Sequence, residues 1–529
     1  MCLLLEDYFE SVHWFSLVIY EPKFRAKFEA ICDGYASQSQ KPFLLLLSAV
    51  LALAAWYNSK RHSSVHGHDA AFWADWASTL LRHLELETFD IINGCTLEHI
   101  QICTLLASYH SYHGKPKAAS ALLGATIKAA QAIGLHQEPH GKSVDDTEEI
   151  KRIWWTIYTW DRWASTTLGR PLGIDDDECN ISMPNEIYEN RRFLAWVDAE
   201  LICYSVYQRE LNKLYVIASP VLKILFGNIP SSYSKGVARE RQRNLLEETG
   251  KRLKNWREAL PDDLVFHFDA DASPDECALI KARRLQALSL QLTFDHLIII
   301  FNHSLLVHQI RSLCGGGRTQ FPTDFEQPNS KQTELSPIAS SEASLHAAFH
   351  ISRIAQLPQT ARLAAESHLV GFLGINLLNA AIVLVVSALS SPLTDRAQEA
   401  KRSVTMIFRL QKILGERSQL ALQSSLVLRS MILMITSRET EAMLRPKEAT
   451  REAGLYGLND DQTSQDDPYV LVQETVRVSL DAPFPPLQCS GVMSRQRTIT
   501  GQTGEETVPL DDASAPAGKG IALSYPIAS

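Results

Sequence analysis

Apolar residues recur at helical spacing along most of this chain, and the pattern predicts an all-α protein. Leu3 to Trp14 reads as an amphipathic helix with an aromatic face. Tyr20-Glu-Pro-Lys-Phe24 breaks it, and a second helix is expected from Phe24 to Tyr35. Leu44 to Asn58 is apolar on every side, the pattern of a buried helix. Ala70 to Leu86 places Phe72, Trp73, Trp76, Leu80 and Leu84 on or near one face. Thr96 to His113 and Lys117 to Ile133 form a pair around the turn at Gly114-Lys115-Pro116. Longer helices are expected from Arg191 to Phe226, Lys235 to Leu260 and Pro274 to Ile310. Three more run roughly from Glu342 to Leu357, Ala361 to Leu389 and Asp395 to Leu444. No repeat of fixed period is present, although the helix pairs suggest a loosely solenoid-like bundle.

The segment from Glu148 to Pro184 is the most informative: EEIKRIWWTIYTWDRWASTTLGRPLGIDDDECNISMP. Ile153, Trp154, Ile157, Tyr158, Asp161, Ser165 and Leu168 fall at steps of three and four, one face of a helix. Thr147 is the expected N-cap, with Glu148 and Glu149 in the first turn. Gly169 and Pro171 stop the helix. Asp161 borders an aromatic stripe, where an unpaired carboxylate costs several kcal/mol, roughly 3–5. Arg162 is adjacent in sequence and points elsewhere on a helix, so Arg170 is the expected partner, folding back from beyond the stop. The pair reads as structural, with an effector-sensing role as the alternative.

This ordered string of roughly 37 residues resembles the signature of the fungal-specific transcription factor domain, the middle regulatory region of fungal zinc-cluster regulators of the xylanolytic-activator type. Two further segments fit the resemblance: Gly134-Leu135-His136 at the end of a helix, and Trp256 followed by Leu260-Pro261. The resemblance begins almost at residue 1 and thins after Pro184. It implies a large multi-helix regulatory domain that restrains or licenses transcription by RNA polymerase II in the nucleus, sometimes under small-molecule effectors. It also implies a homo- or heterodimer. The signature residues it singles out are Gly134, Leu135, His136, Trp154, Trp155, Asp161, Arg162, Gly169, Arg170, Pro171 and Pro184, in structural roles. DNA binding and zinc belong to the family's upstream six-cysteine module. No Cys-x2-Cys pair occurs here, so no residue of this chain is assigned to zinc or DNA. The expectation is a truncated product, with DNA reached through a missing or partner-supplied module, or else a stand-alone interaction partner of an intact regulator.

Charge and composition agree with that division. The net charge of -9 argues against a chain devoted to phosphate contact. The helix pair around Gly114 is a packing hairpin, since its second helix offers Lys128 but little else to reach base edges. Nine scattered cysteines read as reduced thiols and not as a disulfide framework. Pro42 to Trp56 is too short to span a bilayer, and Leu369 to Leu389, which carries Asn376 and Asn379, reads as a buried helix, so no membrane is expected.

Catalytic motifs are weak, and no enzyme is expected. His140-Gly-Lys-Ser143 resembles the end of a phosphate loop without its first glycine, and reads as an inter-helix connection. His62, His66 and His68 lie in a Ser/Gly-rich connection with only Asp69 nearby. His110 and His113 read as protonated or polar histidines at a helix C-terminus. Asp175 to Glu178 reads as a solvated loop and not a calcium site. The expected organisation is a regulatory domain over 1–314 with its signature in 96–184, a flexible linker over 315–341, a helical continuation of the same domain over 342–445, and a mostly disordered acidic tail over 446–529. Within that tail, Asn459 to Val472 sets four aspartates before Tyr469-Val470-Leu471, a candidate coactivator contact.

Overall fold

The computed structural model describes residues 1–61, 64–190, 193, 201–226, 235–273, 275–302 and 341–444. The linker over 315–340 and the tail with its 459–472 segment lie outside the described residues. Ser341 opens a helix and does not belong to a linker.

The N-terminal helices are α1 (Cys2–Tyr8), α2 (Glu21–Glu29), α3 (Lys41–Asn58), α4 (Ala70–Leu86), α5 (Thr88–Gly94), α6 (Leu97–Tyr112), α7 (Pro116–Ala132) and α8 (Val144–Leu168). A π-helical turn, Phe9–His13, continues α1 in place of the single helix expected to Trp14. It carries His13 inward. Helix α2 ends at Glu29, six residues before the expected Tyr35, and α5 was not anticipated. Asp69 and Thr96 cap α4 and α6 by accepting the amides of Phe72 and His99.

Helix α8 begins earlier than its pattern suggested. Ser143, and not Thr147, is the cap: its backbone is extended and its Oγ accepts the Asp146 amide at 3.1 Å. Asp145 and Asp146 then sit in the first turn, where the helix dipole favours negative charge. This use of Ser143 absorbs the phosphate-loop-like residues into ordinary capping. The helix stops at Gly169, which takes the left-handed conformation (φ +64°) and donates its amide to the Ser165 carbonyl at 2.9 Å.

Two short strands, β1 (Glu189–Asn190) and β2 (Leu201–Ile202), pair antiparallel where the sequence suggested a helix from Arg191. Helix α9 starts only at Tyr204 and runs to Phe226. Then come α10 (Lys235–Glu258), α11 (Ala278–Phe301), α12 (Ser341–Ser352), α13 (Pro358–Ala365), α14 (Leu369–Ser390), α15 (Asp395–Gly415) and α16 (Gln419–Leu444). The spans expected at 361–389 and 395–444 are therefore each two helices. The first breaks around Ser367-His368, whose backbone turns to bond Ser11, and the second turns at Gly415 to Ser418.

Helix α14 is the centre of the C-terminal layer. It packs on α11, α12, α13, α15 and α16, and is buried along nearly its whole length. Gly371 and Gly374 permit this closeness: a Cβ at Gly371 would lie 2.5 Å from the Tyr112 ring, and one at Gly374 would lie 3.2 Å from Ala421 Cβ. Among the described residues three helices have the length and composition to cross a membrane, α3 with its preceding turn, α14 and α16. Helix α14 spends that apolarity on protein contacts. The apolar core runs without a break from Leu4 to Ile435.

Candidate functional site

The signature residues converge on one object, the loop that follows α8. Asp161 and Arg162, at the end of α8, grip it from below. Asp161 accepts the backbone amides of Gly173 at 2.9 Å and Ile174 at 3.1 Å. Its other contact is Arg162 Nη1 at 2.5 Å. Arg170 is exposed and is not among its partners, so the expected Asp161–Arg170 pair is replaced by Asp161–Arg162. The reason is that the long Arg162 side chain curls back along α8 beneath the loop, while two loop amides supply the bonds Arg170 was expected to give.

Arg162 is fully buried, and each group around it is used. Its Nε donates to Ser219 Oγ at 2.8 Å, and Nη2 donates to Asp176 Oδ1 at 2.9 Å. The guanidinium lies 4.1 Å from the Tyr158 ring centre, and the Tyr158 hydroxyl donates to Asp176 at 2.6 Å. Burial pushes the Asp161 carboxyl up, against the pull of Arg162 and the two amides. Burial also opposes the Arg162 charge, but Tyr158, Asp161 and Asp176 hold its pKa above the ordinary value. Lys223 of α9 binds Asp175 at 2.6 Å, so the loop is tied to α9 as well as α8. Of the acidic run, Asp175 and Asp176 make these ties, while Asp177 and Glu178 are exposed.

Trp155 and the Gly-Leu-His turn hold the far end of the loop. Trp155 Nε1 donates to the Ser182 carbonyl at 3.0 Å. Gly134 adopts φ +77° after α7, which sends Leu135 into the core and leaves the His136 carbonyl to accept the Asn180 amide at 3.2 Å. The His136 ring lies 5.8 Å from that of Trp154, which is wholly buried. Glu138 binds the Ser182 amide at 2.6 Å. Pro184 is buried at the exit, whereas Pro171 is exposed.

A second buried charge cluster lies about two and a half turns back along α8. Arg152 bonds Glu148 at 3.3 Å and contacts the Glu189 carboxylate. Glu189 also meets His13 Nε2 at 3.2 Å, and Glu148 accepts the Asn185 amide at 3.0 Å. The Arg152 guanidinium sits over Tyr20. Burial opposes the Arg152 charge, and Glu189 and Glu148 restore it. This cluster joins the π-turn, α8 and β1.

Sequence reasoning missed Gly173, Glu189 and His13. A Cβ at Gly173 would lie 2.8 Å from Asp161 Oδ1 and 3.0 Å from Ile127 Cδ1. The Gly-x-Asp-Asp-Asp spacing after the Gly-Arg-Pro stop was the available signal. Glu189 and His13 are 176 residues apart and carry no local signal.

The other candidate residues do not assemble. His66 bonds Asp7 at 2.7 Å, His68 stacks on Phe72, and His62 lies outside the described residues. Among the described residues no group of three or more His, Cys, Asp and Glu side chains is placed to hold a metal. His110 is buried and His113 partly buried, and burial of their rings lowers their pKa values to about 4 and about 3, so the protonated reading is corrected. An apolar cavity between α6, α8, α9, α11 and α14 measures about 20 Å³, walled by Tyr112, Trp160, Trp163, Tyr207 and Phe372. That space suits one or two waters and no effector.

The clasp therefore reads as a packing device and offers no nucleophile paired with a base. Comparison with known proteins gives the class. Residues 5–258 match the fungal specific transcription factor domain, and this chain carries that domain. Similar proteins include an uncharacterized transcriptional regulatory protein of Schizosaccharomyces pombe, 24% identical over 58% of this chain and 36% of its own length. An ABC-transporter-regulating transcription factor of Aspergillus oryzae is 22% identical over 51% of this chain and 29% of its own. Activator of stress genes 1 of Saccharomyces cerevisiae is 23% identical over 54% and 29%. These relatives are named as regulators of transcription and not as enzymes. The chain spans about a third of their length. No solved structure matches.

Proposed function

We propose that this chain is the regulatory part of a nuclear regulator of RNA polymerase II transcription. It reaches DNA through a separate module, supplied elsewhere in the same protein or by a partner. The observation that supports this most is the match over residues 5–258, within which Trp155, Asp161 and Arg162 of the signature hold the loop after α8. The acidic charge and the lack of a Cys-x2-Cys pair support the division of labour. Segment 459–472 is the proposed coactivator contact, zinc belongs to the separate module, and no membrane is involved. The second reading, a stand-alone partner that pairs with an intact regulator, rests on the same absence of paired cysteines.

Two measurements test the proposal. A fluorescence titration near physiological salt should show no submicromolar, competitor-resistant DNA binding by this chain, and such binding would overturn it. A foreign DNA-binding domain fused to the chain should alter a reporter, and less so when Tyr469, Val470 and Leu471 become alanine.

A further inference from the structure

Two histidines on α12 stand one turn apart, and a buried carboxylate orients one of them. His346 and His350 are four residues apart, a spacing that sets side chains on one helix face about 6 Å apart along the axis. Their ring centres lie 6.0 Å apart, with the planes inclined by 27°. His350 is half-buried and held on two sides. Its Nδ1 meets Asp295 Oδ2 of α11 at 2.8 Å, and its ring packs 4.1 Å from that of Phe268. Asp295 is buried, and the same oxygen accepts the Gln291 side-chain amide at 2.7 Å. That amide is fixed in turn by Arg257, which donates to Gln291 Oε1 at 2.8 Å. Gln291 Nε2 also approaches His350 Nδ1 at 3.1 Å, but an unprotonated Nδ1 would leave its lone pair facing the carboxylate. Nδ1 therefore carries the proton, and the Nε2 lone pair is turned away from Asp295. His346 is exposed and makes no hydrogen bond among the described residues.

We infer that His346 and His350 form a labile chelate for a divalent transition metal that favours imidazole, such as Cu2+, Ni2+ or Zn2+. Imidazole nitrogens bind these ions at about 2.0–2.1 Å, so one ion joins two nitrogens roughly 3 Å apart. Reaching that separation requires the exposed His346 ring to swing toward His350, and no hydrogen bond resists the movement. His350 is the organised half of the pair. A metal-ligating histidine is oriented by a partner on its other ring nitrogen, and Asp295 supplies that partner here. The surrounding charge admits a cation, since Arg396 is paired with Glu342 at the start of α12 and Arg353 with Asp269. No group of three ligating side chains assembles among the described residues, so water completes the coordination. Two protein ligands fall short of the four that close a structural zinc site. The ion therefore exchanges, and the fold does not depend on it. This site is separate from the zinc of the DNA-binding module.

Titration of the tag-free, chelator-stripped full chain with Cu2+ tests this, by calorimetry at pH 7 and by electron paramagnetic resonance of the first equivalent. The inference expects a first ion bound with a Kd of about 1–100 μM and a spectrum showing two nitrogen ligands. Zn2+ should compete for the same residues more weakly, as the order of divalent ions requires. His346→Ala should weaken the first ion at least about tenfold and remove one nitrogen ligand. Its metal-free melt should be unchanged, since the side chain faces solvent. Asp295→Asn should weaken binding about ten- to hundredfold yet keep both nitrogens at saturating Cu2+, the mark of a positioning residue. Should Asp295→Asn lower the metal-free melt, His346→Ala decides alone, because it leaves the core untouched. A first ion bound equally by the parent and His346→Ala overturns the inference and places the metal on other surface histidines. A parent chain with no site tighter than about 1 mM overturns it as well.

Discussion

Tyr57 and His368 stand 311 residues apart in sequence and share a buried hydrogen bond, Oη to Nδ1, of 2.6 Å. The same corner is closed by the His368 amide, which donates to the Ser11 carbonyl at 2.9 Å, and by ring contacts from Phe15, Tyr112 and Trp160. The matched family region ends at residue 258, yet its first helices are completed by residues from 368 onward. Tyr57→Phe should therefore destabilise the protein by about 1–3 kcal/mol, because His368 is left with an unmet buried nitrogen. Thermal or urea unfolding measures it. A chain cut after residue 302 should expose hydrophobic dye sites and lose cooperative unfolding, since α14 supplies the far wall of the N-terminal core.

The clasp makes a sharper demand on a single pair. Asp161→Ala and Arg162→Ala should each destabilise by about 3–5 kcal/mol, since each leaves a buried charge without its partner. A double-mutant cycle between them should give a coupling of about 1–3 kcal/mol. Arg170→Ala should stay within about 0.5 kcal/mol of the parent, as an exposed residue outside the clasp. Coupling of Asp161 to Arg170 in place of Arg162 would return the arrangement to the one the sequence suggested.

Gly173 and Trp155 separate packing from hydrogen bonding in the same loop. Gly173→Ala places a methyl against Asp161 and Ile127, and should cost about 1–3 kcal/mol as an overpacked site. Trp155→Ala should cost about 3–5 kcal/mol. Trp155→Phe retains most of the apolar area but drops the bond to Ser182, and should cost less. Equal losses for the two Trp155 variants would mean that the indole N–H, and not the ring, holds the loop.

Acid should destabilise the fold through its buried histidines. Burial lowers His110 and His296 to about 4, and His113 and His368 to about 3. Free imidazoles titrate near 6.5, so between these values the unfolded chain binds more protons than the folded one. Stability from this source is complete above about pH 6.5 and falls as pH drops toward 4, by up to about 1.4 kcal/mol per pH unit for each histidine. Urea midpoints at pH 7, 6 and 5 should decline in that order, and His368→Gln should flatten the decline.

Much of this was legible in the chain because it is local. Helical period placed Ala70–Leu86 to the residue, and the Gly169 stop follows from its left-handed backbone. Capping proved less readable: both Ser143 and Thr147 precede acidic residues, and only the extended backbone at Ser143 decides between them. The partner of Asp161 was misassigned because a helical wheel sets adjacent residues apart, yet the Arg162 side chain is long enough to return. Glu189 was hidden further, since its partners Arg152 and His13 are both distant in sequence.

The central claim is that this chain regulates transcription through its folded domain when something else brings it to DNA. The direct measurement is a reporter driven by the full chain fused to a foreign DNA-binding domain, compared with Asp161→Ala/Arg162→Ala in the same fusion at matched protein level. The account predicts that the intact fusion shifts reporter output relative to the DNA-binding domain alone, and that the clasp variant changes that output. Identical output from all three would contradict it.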